Sequence, residues 1–291
     1  MSVTLRQLRL FEAIARLGHL TAAADEQAMS QSAASQALKE LELSLGYPLF
    51  SRVGRELVIT DVGLDVLAKA RQITDMVNEL QVAPTNEVTG VLRVVASETI
   101  ASFLMPKLLA EFIATHKLVK PELKIANTQD VIEKLDKGQA HIGLIEGPAI
   151  HQHLTIKPWR QDQLNIFCHP EHPLAKKGKL TIKDIQQQQW ILREPGSGTR
   201  AVFDAAIERI GGRAILGLEL TRHEAIKQSV KAGLGLGCLS QLAIADEIVA
   251  GQLVVLKTPL DLTRRFSLLS NENSYLNAPA QGFVSFLLAS S

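Results

Sequence analysis

The sequence predicts an α/β protein built from three consecutive parts. Apolar residues in the first 60 positions recur at helical spacing and end in one hairpin signal, whereas from Val91 onward short apolar runs alternate with helical segments. Such alternation favours parallel sheets covered by helices on both faces. An apolar seam of helical period lies between the two regions. The length of 291 residues fits two or three units of this kind.

The composition argues against several classes of protein. Lys and Arg number 31 and Asp and Glu 30, so the formal net charge of +1 offers no general attraction to nucleic acid. Cys168 and Cys238 lie in apolar runs far apart in sequence, which predicts two reduced core thiols and no metal site. The N-terminus lacks the apolar core of a signal peptide, and no stretch approaches the roughly 18 apolar residues of a membrane span. We therefore expect a cytoplasmic protein without a membrane partner.

Three helices are predicted in the first part of the chain. The first covers residues 4–17, because its apolar residues fall on one face and Gly18 follows. Thr21 is placed to cap a short alanine-rich helix, and Ser30 is placed to cap a third helix. The alanines between them favour a close crossing of two helices, with a turn at residues 28–30.

One face of the third helix carries short polar side chains. Hydroxyl and amide groups donate and accept hydrogen bonds at short range, which suits the base edges and phosphates of a DNA major groove. A hairpin signal centred on Gly54 then predicts a two-stranded wing. The predicted DNA contacts on the helices and the wing are Thr21, Gln31, Ser32, Ser35, Gln36, Lys39, Arg52 and Arg55.

The charge balance of this first part leaves a second interpretation open. Residues 1–60 contain six Lys or Arg and six Asp or Glu, so their attraction to the DNA backbone is weak. The same pattern fits a small helical domain with a solvent-exposed, serine-rich face. A DNA-binding function therefore depends on groove contacts or on dimerisation.

Residues 61–88 predict a helix followed by a hinge. Pro84 and the residues after it end the helix. Apolar residues before it recur in steps of four and three, as in a short heptad seam. Such a seam indicates either that two chains pair or that the helix lies on its own domain. Its members are Val66, Ala70, Ile73, Val77 and Leu80.

Polar residues follow the predicted strands of residues 89–291. The carboxyl ends of parallel strands meet at one edge of a sheet, where ligands bind. Helix N-termini and hydroxyls at such an edge supply hydrogen-bond donors to anions, so we predict a small anionic ligand. The predicted contacts are Ser97, Thr99, Thr128, Glu146, Gly147, Ser197, Gly198, Thr199 and His223.

Enzyme motifs are weak in this sequence. The loop REPGSGTR at residues 193–200 lacks the lysine of a P-loop, and the glycines of GLGLGC at residues 233–238 have the wrong spacing for a dinucleotide fingerprint. Close packing of strands explains those glycines equally well. No nucleophile with a paired base is visible. We therefore predict no catalytic residue, no metal ion and no cofactor.

Two regions resemble a known family. LRQLRLFEAIARLGHLTAAADEQAMSQSAASQALKELELSLGYPLFSRVGRELVITDVG, at residues 5–63, closely resembles the N-terminal winged helix-turn-helix of LysR-type transcriptional regulators. NTQDVIEKLDKGQAHIGLIEGP, WILREPGSGTR and EAIKQSVKAGLGLGCLS are similar to the effector domain of the same family. Many members carry arginine where this chain has Gln36, which makes a base-edge amide contact plausible at that position.

The resemblance implies an α/β fold in three domains. These are a winged helix-turn-helix at residues 1–60, a linker helix and hinge at residues 61–88 that pairs two chains, and a periplasmic-binding-protein-like effector domain at residues 89–291. The effector domain is expected to divide into subdomain I, at about 89–161 and 266–291, and subdomain II, at about 162–265, with a small co-inducer between them. Within the family, the sequence of these motifs most resembles regulators of sulfur metabolism and carbon fixation.

The implied partners are a double-stranded DNA operator, a small anionic effector, further copies in a homodimer or homotetramer, and RNA polymerase. Two rival functions stay open on the residues alone. One is a solute-binding protein or enzyme with a helical appendage, and the other is a DNA-binding protein without an effector. Operator binding by the first 90 residues and a ligand-dependent thermal shift separate these possibilities.

Overall fold

The computed structural model describes residues 2–53, 56–81, 87–271 and 274–290. The chain begins with a small helical unit and a wing, followed by one long helix. Their elements are α1 (Leu5–Leu17), α2 (Leu20–Glu26), α3 (Gln31–Leu45), β1 (Phe50–Val53), β2 (Glu56–Ile59) and α4 (Asp61–Gln81). Arg55, predicted as a DNA contact, and the hinge predicted at Pro84 lie outside the described residues.

Two of the three predicted helix starts and stops are confirmed. Helix α1 ends at Gly18, which adopts the left-handed conformation with φ of 74°. Helix α3 begins after Ser30, whose hydroxyl accepts a hydrogen bond from the Ala33 amide. The predicted Thr21 cap was wrong, because α2 already begins at Leu20. His19 precedes it in the extended conformation that the residue before a helix adopts.

The core of the N-terminal unit reaches from α1 to the wing and the start of α4. The rings of Phe11 and Phe50 meet edge to face with centroids 5.5 Å apart. At Gly63, on α4, a Cβ would stand 2.3 Å from the Leu49 carbonyl oxygen. This close approach fixes the long helix against the wing, and only glycine permits it.

The apolar seam predicted on α4 divides between two faces. Ala70 is 1% exposed and packs with Val66 on the core of the N-terminal unit. Assigning Ala70 to a contact between chains was therefore wrong, since its surface is already buried within its own chain. Ile73 and Leu80 are exposed, Val77 is half-buried, and the exposed Met76 was missed.

The remaining elements form an α/β region. Its strands are β3 (Thr89–Ser97), β4 (Leu118–Ala126), β5 (Ile142–Glu146), β6 (Leu154–Cys168), β7 (Gln189–Arg193), β8 (Ile215–Leu220), β9 (Leu236–Ser240), β10 (Val254–Leu256) and β11 (Thr263–Asn271). Its helices are α5 (Glu98–Phe103), α6 (Met105–Thr115), α7 (Thr128–Asp136), α8 (Pro173–Lys177), α9 (Ile182–Gln187), α10 (Gly198–Arg209), α11 (His223–Lys231), α12 (Gln241–Val249) and α13 (Ala278–Ala289).

The sheet is mixed, not parallel as the alternation of elements predicted. Its strand order is β4-β3-β5-β11-β6-β9-β7-β8, and β10 pairs with β6. Strands β3, β4 and β5 are parallel, as are β7, β8 and β9. Strands β6 and β11 run antiparallel to their neighbours, because they carry the chain in opposite directions between the two halves of the sheet. We call the half with β3 to β5 subdomain I and the half with β7 to β10 subdomain II.

The chain between β3 and β4 is helical over residues 98–103 and 105–115. The structure has two helices there, α5 and α6, separated at Leu104. Pro106 lies in the first turn of α6, where its missing amide hydrogen costs no helical hydrogen bond. In the interior of one continuous helix the same residue would have interrupted the hydrogen bonding. The shorter α5 can therefore follow directly from the end of β3.

Each subdomain has its own apolar core. In subdomain I the rings of Phe112 and Phe283 meet 5.0 Å apart. In subdomain II both cysteines are fully buried and free, as predicted. Burial raises the pKa of Cys168 to about 11 and that of Cys238 to about 12. A Cβ on Gly237 would stand 2.4 Å from the Phe167 ring, which confirms close packing as the reason for that glycine.

Helix α4 is joined by polar contacts to the N-terminal unit and to subdomain I. Thr74 donates a hydrogen bond of 2.7 Å from its hydroxyl to the Glu12 carboxylate of α1. Asp75 accepts one of 2.7 Å from the Arg93 guanidinium of β3. Glu79 accepts one of the same length from the Ala278 amide at the start of α13. None of the described helices is long and apolar enough to cross a membrane.

Replacing Gly63 by alanine is expected to lower the stability of the chain by about 2 kcal/mol, because the added methyl group overlaps the Leu49 carbonyl. Gly282→Ala is the matched control within a helix. Its Cβ would meet Phe112 at an ordinary 3.5 Å, so the better helix propensity of alanine should leave stability unchanged or slightly higher. Thermal unfolding followed by circular dichroism compares the two. Equal melting temperatures would contradict the close contact at Gly63.

Candidate effector cleft and DNA-facing helix

Helix α3 presents its polar face to solvent. Gln31, Ser32, Ser35, Gln36 and Lys39 are all exposed, whereas the residues of the opposite face are buried in the core of the N-terminal unit. The Gln36 amide donates a hydrogen bond of 2.9 Å to the Glu40 carboxylate one turn later. The predicted face is thus available for contact. Thr21 and Arg52 are exposed as well.

The strand ends of the two subdomains meet in a buried polar cleft. β3 ends at Ser97 and β5 at Glu146 in subdomain I, while α10 and α11 begin on the facing side in subdomain II. The predicted contact residues that are buried there are Ser97, Thr99, Thr128, Glu146, Ser197, Gly198, Thr199 and His223. Gly147 is half-buried. The structure therefore brings together the residues that the sequence placed at strand ends.

The carboxylate of Glu146 is the centre of this cleft. One oxygen accepts a hydrogen bond of 3.0 Å from the Thr99 amide, and the other accepts hydroxyl bonds of 2.8 Å from Thr99 and 3.3 Å from Thr199. The Arg264 guanidinium forms an ion pair with the same carboxylate. Burial by itself raises the pKa of Glu146, but Arg264 and the Thr99 hydrogen bonds outweigh it and lower the pKa from 4.5 to about 2.

Arg264 is the functional residue that the sequence analysis missed. Its side chain is fully buried on β11, and its Nε lies 2.6 Å from the carboxylate of Asp162, directly opposite on β6. Its other nitrogens donate to the hydroxyls of Thr199, at 2.8 Å, and of Thr99, at 3.2 Å. Because arginine only donates, these hydroxyls accept hydrogen bonds from it and donate their own hydrogen bonds to the Glu146 carboxylate. The available sequence signal was that Arg264 lies two positions from both Leu262 and Phe266, so that on a strand all three side chains face the same side.

A second buried cluster surrounds Arg193 at the end of β7. Its Nη1 lies 3.2 Å from the Glu98 carboxylate and 3.1 Å from Nε2 of His223. Nε2 must therefore accept, and the proton of the neutral imidazole belongs to Nδ1, which has no hydrogen-bond partner among the described residues. Burial lowers the pKa of His223 to about 3, with Glu146 opposing the shift. This histidine is accordingly neutral near pH 7.

The floor of the cleft is closed by direct contact between the subdomains. A Cβ on Gly198 would stand 1.7 Å from the Glu146 carbonyl oxygen, so no other residue fits at that position. The backbone amide of Gln129 also donates a hydrogen bond of 3.1 Å to the Gly196 carbonyl across the cleft. Two cavities, of about 390 and 340 Å³, adjoin this contact and share Pro148 and Ala201 as a common wall.

The charges of the cleft nearly balance. Arg193 and Arg264 are the buried cations, and Glu98, Glu146 and Asp162 are the buried carboxylates. Hydrogen-bond donors for an anion are present, as the sequence predicted, but they are directed at a carboxylate of the protein. The arrangement binds and positions an oxyanion group.

An exposed polar helix face joined to a buried cleft between two subdomains is the arrangement of a ligand-responsive regulator of transcription. Residues 5–64 match the family model described as a bacterial regulatory helix-turn-helix protein of the lysR family, and residues 85–291 match the LysR substrate binding domain. The chain belongs to the LysR family of transcriptional regulators. The resemblance stated from the sequence motifs is thereby confirmed.

Two relatives match over nearly their whole length. The HTH-type transcriptional regulator YeiE of Escherichia coli (strain K12) is 34% identical over 287 residues, covering 98% of this chain and 97% of that protein. The RuBisCO operon transcriptional regulator of Allochromatium vinosum is 30% identical over 294 residues, covering 99% and 97%.

Two solved structures are also similar. A full-length OxyR variant from Pseudomonas aeruginosa superposes with a TM-score of 0.75 at 22% identity, covering 100% of this chain and 95% of that one, and it shows the fold. The regulatory domain of CcmR from Synechocystis, solved in complex with 2-PG, has a TM-score of 0.64 at 27% identity. It covers 69% of this chain and 97% of its own length.

The lowered pKa of Glu146 predicts a pH-dependent contribution to stability. A carboxyl group with a folded pKa below its unfolded value stabilises the fold above the unfolded pKa, here 4.5, and loses this contribution as the pH falls toward about 2. Glu146→Gln should lower the free energy of unfolding at pH 7 by about 3 kcal/mol, because it leaves Arg264 with one carboxylate fewer.

The difference between Glu146→Gln and the native chain should shrink as the pH falls below about 4.5. Urea unfolding at a series of pH values measures it. Glu111→Gln, which alters an exposed glutamate on α6 paired only loosely with Lys107, serves as the control and should show no such trend. A difference that stayed constant from pH 7 to pH 3 would contradict the assignment.

Proposed function

We propose that the chain binds its operator through the exposed face of α3 and that a small anionic metabolite in the cleft modulates this binding. The observation that carries the ligand class is the convergence of donors between the subdomains. The Thr99 amide, the hydroxyls of Thr99 and Thr199, and the Arg264 guanidinium all reach one point the size of a carboxylate. Charge-assisted hydrogen bonds of this kind select oxyanions.

The ligand class is also supported by a relative. The CcmR regulatory domain, which is similar to this chain at 27% identity, was solved with 2-PG bound. A ligand held between the subdomains favours one degree of closure over another. By linkage, that preference changes operator affinity, typically by about 1–3 kcal/mol.

Pairing of chains is part of the same proposal. Ile73, Met76 and Leu80 form an exposed apolar stripe on α4, and such a stripe is stabilised by a second helix. The outer strands β4 and β8 also expose apolar side chains, including Leu118 and Ile215. Unpaired sheet edges of this kind are normally covered. A homodimer or homotetramer covers both, and its two-fold symmetry matches an operator with two half-sites.

RNA polymerase is the further partner that we propose from the protein class. Contact with it follows from regulation of transcription and rests on no particular surface of the chain. The proposed DNA contacts are more specific. The amide of Gln36 has the geometry to pair with the edge of a base once it leaves Glu40.

Replacing Gln36 by alanine is expected to weaken operator binding by about 1–3 kcal/mol, since one base-edge contact is lost, and to leave the melting temperature unchanged. DNase protection and gel shifts of the full chain measure the effect. Ser35→Ala should behave similarly. Gln228→Ala is the matched control, because Gln228 also lies on an exposed helix and donates to a glutamate one turn away. Normal protection by both α3 variants would rule out this helix face as the reading surface.

Thr199→Val is expected to weaken anion binding at least tenfold, because it removes one hydroxyl donor from the oxyanion position. Thr199→Ser keeps the hydroxyl and should bind as the native chain does. The measurement is the shift in melting temperature with sulfite, sulfate, thiosulfate and phosphorylated sugars. If Thr199→Val bound an active ligand as tightly as the native chain, Thr199 would be removed from the site.

A further inference from the structure

The oxyanion position of the cleft is already filled by a side chain of the protein. Each of the two Glu146 oxygens accepts hydrogen bonds, from donors that belong to both subdomains: Thr99 from subdomain I and Thr199 from subdomain II. Arg264 neutralises its charge from the strand that joins them. The carboxylate makes the contacts that the acidic group of a bound anion would make.

The charge balance then decides how an anion can enter. With Glu146 in place, a ligand anion would join three buried carboxylates and the half-buried Glu194, which pairs with Arg193 at 2.8 Å, beside two buried cations, Arg193 and Arg264. Like charges in a buried site repel one another strongly. If the ligand takes the place of Glu146, the charge of the cleft is unchanged. Exchange is therefore favoured over addition.

The main chain at Glu146 is held by hydrogen bonds that do not involve its side chain. The Glu146 carbonyl oxygen is held by the Thr128 hydroxyl at 3.0 Å, and the Gly147 amide donates to the Arg265 carbonyl at 3.0 Å. These two bonds hold the end of β5 without any contribution from the Glu146 side chain. The strand end therefore does not depend on the carboxylate for its position.

We propose that Glu146 is a built-in competitor of the effector: its carboxylate occupies the oxyanion position of the cleft, and the acidic group of the effector binds by replacing it. The inference rests on the proposed function in assuming that the effector is an anion. Glu146 thereby sets the threshold concentration at which the regulator responds. A carboxylate tethered next to its own donors competes as a ligand at high effective concentration.

The test is chemical rescue of Glu146→Ala in the full-length chain by acetate, at constant ionic strength maintained with sodium chloride. Truncation leaves the Thr99 amide and the hydroxyls of Thr99 and Thr199 without their carboxylate acceptor and removes one of the two carboxylates paired with Arg264. Free acetate should therefore restore the lost carboxylate. The melting temperature of the variant is expected to rise saturably with acetate. We expect acetate to bind the variant at least tenfold more tightly than it binds the native chain.

Glu247→Ala is the matched control. Its carboxylate is also largely buried and ion-paired, with Lys227 at 2.7 Å and Lys231 at 3.6 Å, but it lies on α12 outside the cleft. It should lose stability without recovering it in acetate. Equal acetate affinities of Glu146→Ala and the native chain, or equal rescue of the two alanine variants, would overturn the proposal.

Glu146→Gln covers the case in which the alanine variant does not fold. Its uncharged amide is a poorer partner for Arg264 and a weaker competitor, so acetate should bind this variant more tightly than the native chain. Acetate binding as weak as in the native chain would refute the proposal. Operator binding by the native chain is measured separately in gel shifts without acetate. Failed rescue with normal operator binding refutes the competitor alone, whereas absent operator binding refutes the proposed regulator function.

Discussion

The structure depends on the neutralisation of one fully buried guanidinium, that of Arg264. An isolated charge in the protein interior is unfavourable by several kcal/mol, so neither of its two carboxylate partners can leave unless another anion takes its place. Asp162 lies opposite on the other crossing strand, and Glu146 ends a strand of subdomain I. Thr199 ties subdomain II to the same guanidinium. The relative position of the two subdomains is thus determined at one point, and that point is also the candidate ligand position.

Much of the fold could be predicted from local signals, since caps and strand ends depend on neighbours in sequence. Ser30 and Gly18 illustrate this, and so do the polar residues after each buried strand. The pairing of Arg264 with Asp162 could not be predicted, because it depends on the register between two strands about 100 residues apart. The division of the apolar seam of α4 between two faces could not be predicted either. A helix with apolar residues on two faces does not reveal which face, that of Ala70 or that of Met76, its own chain covers.

At the candidate ligand site, the sequence likewise predicted the donor groups but not the acceptor that they bind. The residue types at the strand ends predicted donors for an anion, and those donors converge in the structure. Which acceptor they serve depends on how far the cleft is closed, and in the structure they serve a carboxylate from within the protein. The closest approach, between Gly198 and the Glu146 carbonyl, leaves no space for a Cβ. Contact between the subdomains thereby explains Gly198 in the loop at residues 193–200.

The polar contacts described between α4 and the effector domain end in subdomain I, at Arg93, His141, Tyr275 and Ala278. The N-terminal unit, α4 and subdomain I therefore act as a frame, and subdomain II is an arm carried on two strands. Under the proposed function, a ligand that moves subdomain II leaves α3 of the same chain where it was relative to this frame. The surface that changes is the one that subdomain II, including its outer strand β8, offers to a neighbouring copy. Under the same proposal, a single chain would bind its ligand without moving α3, and only an assembly of chains could convert that binding into a change at the operator.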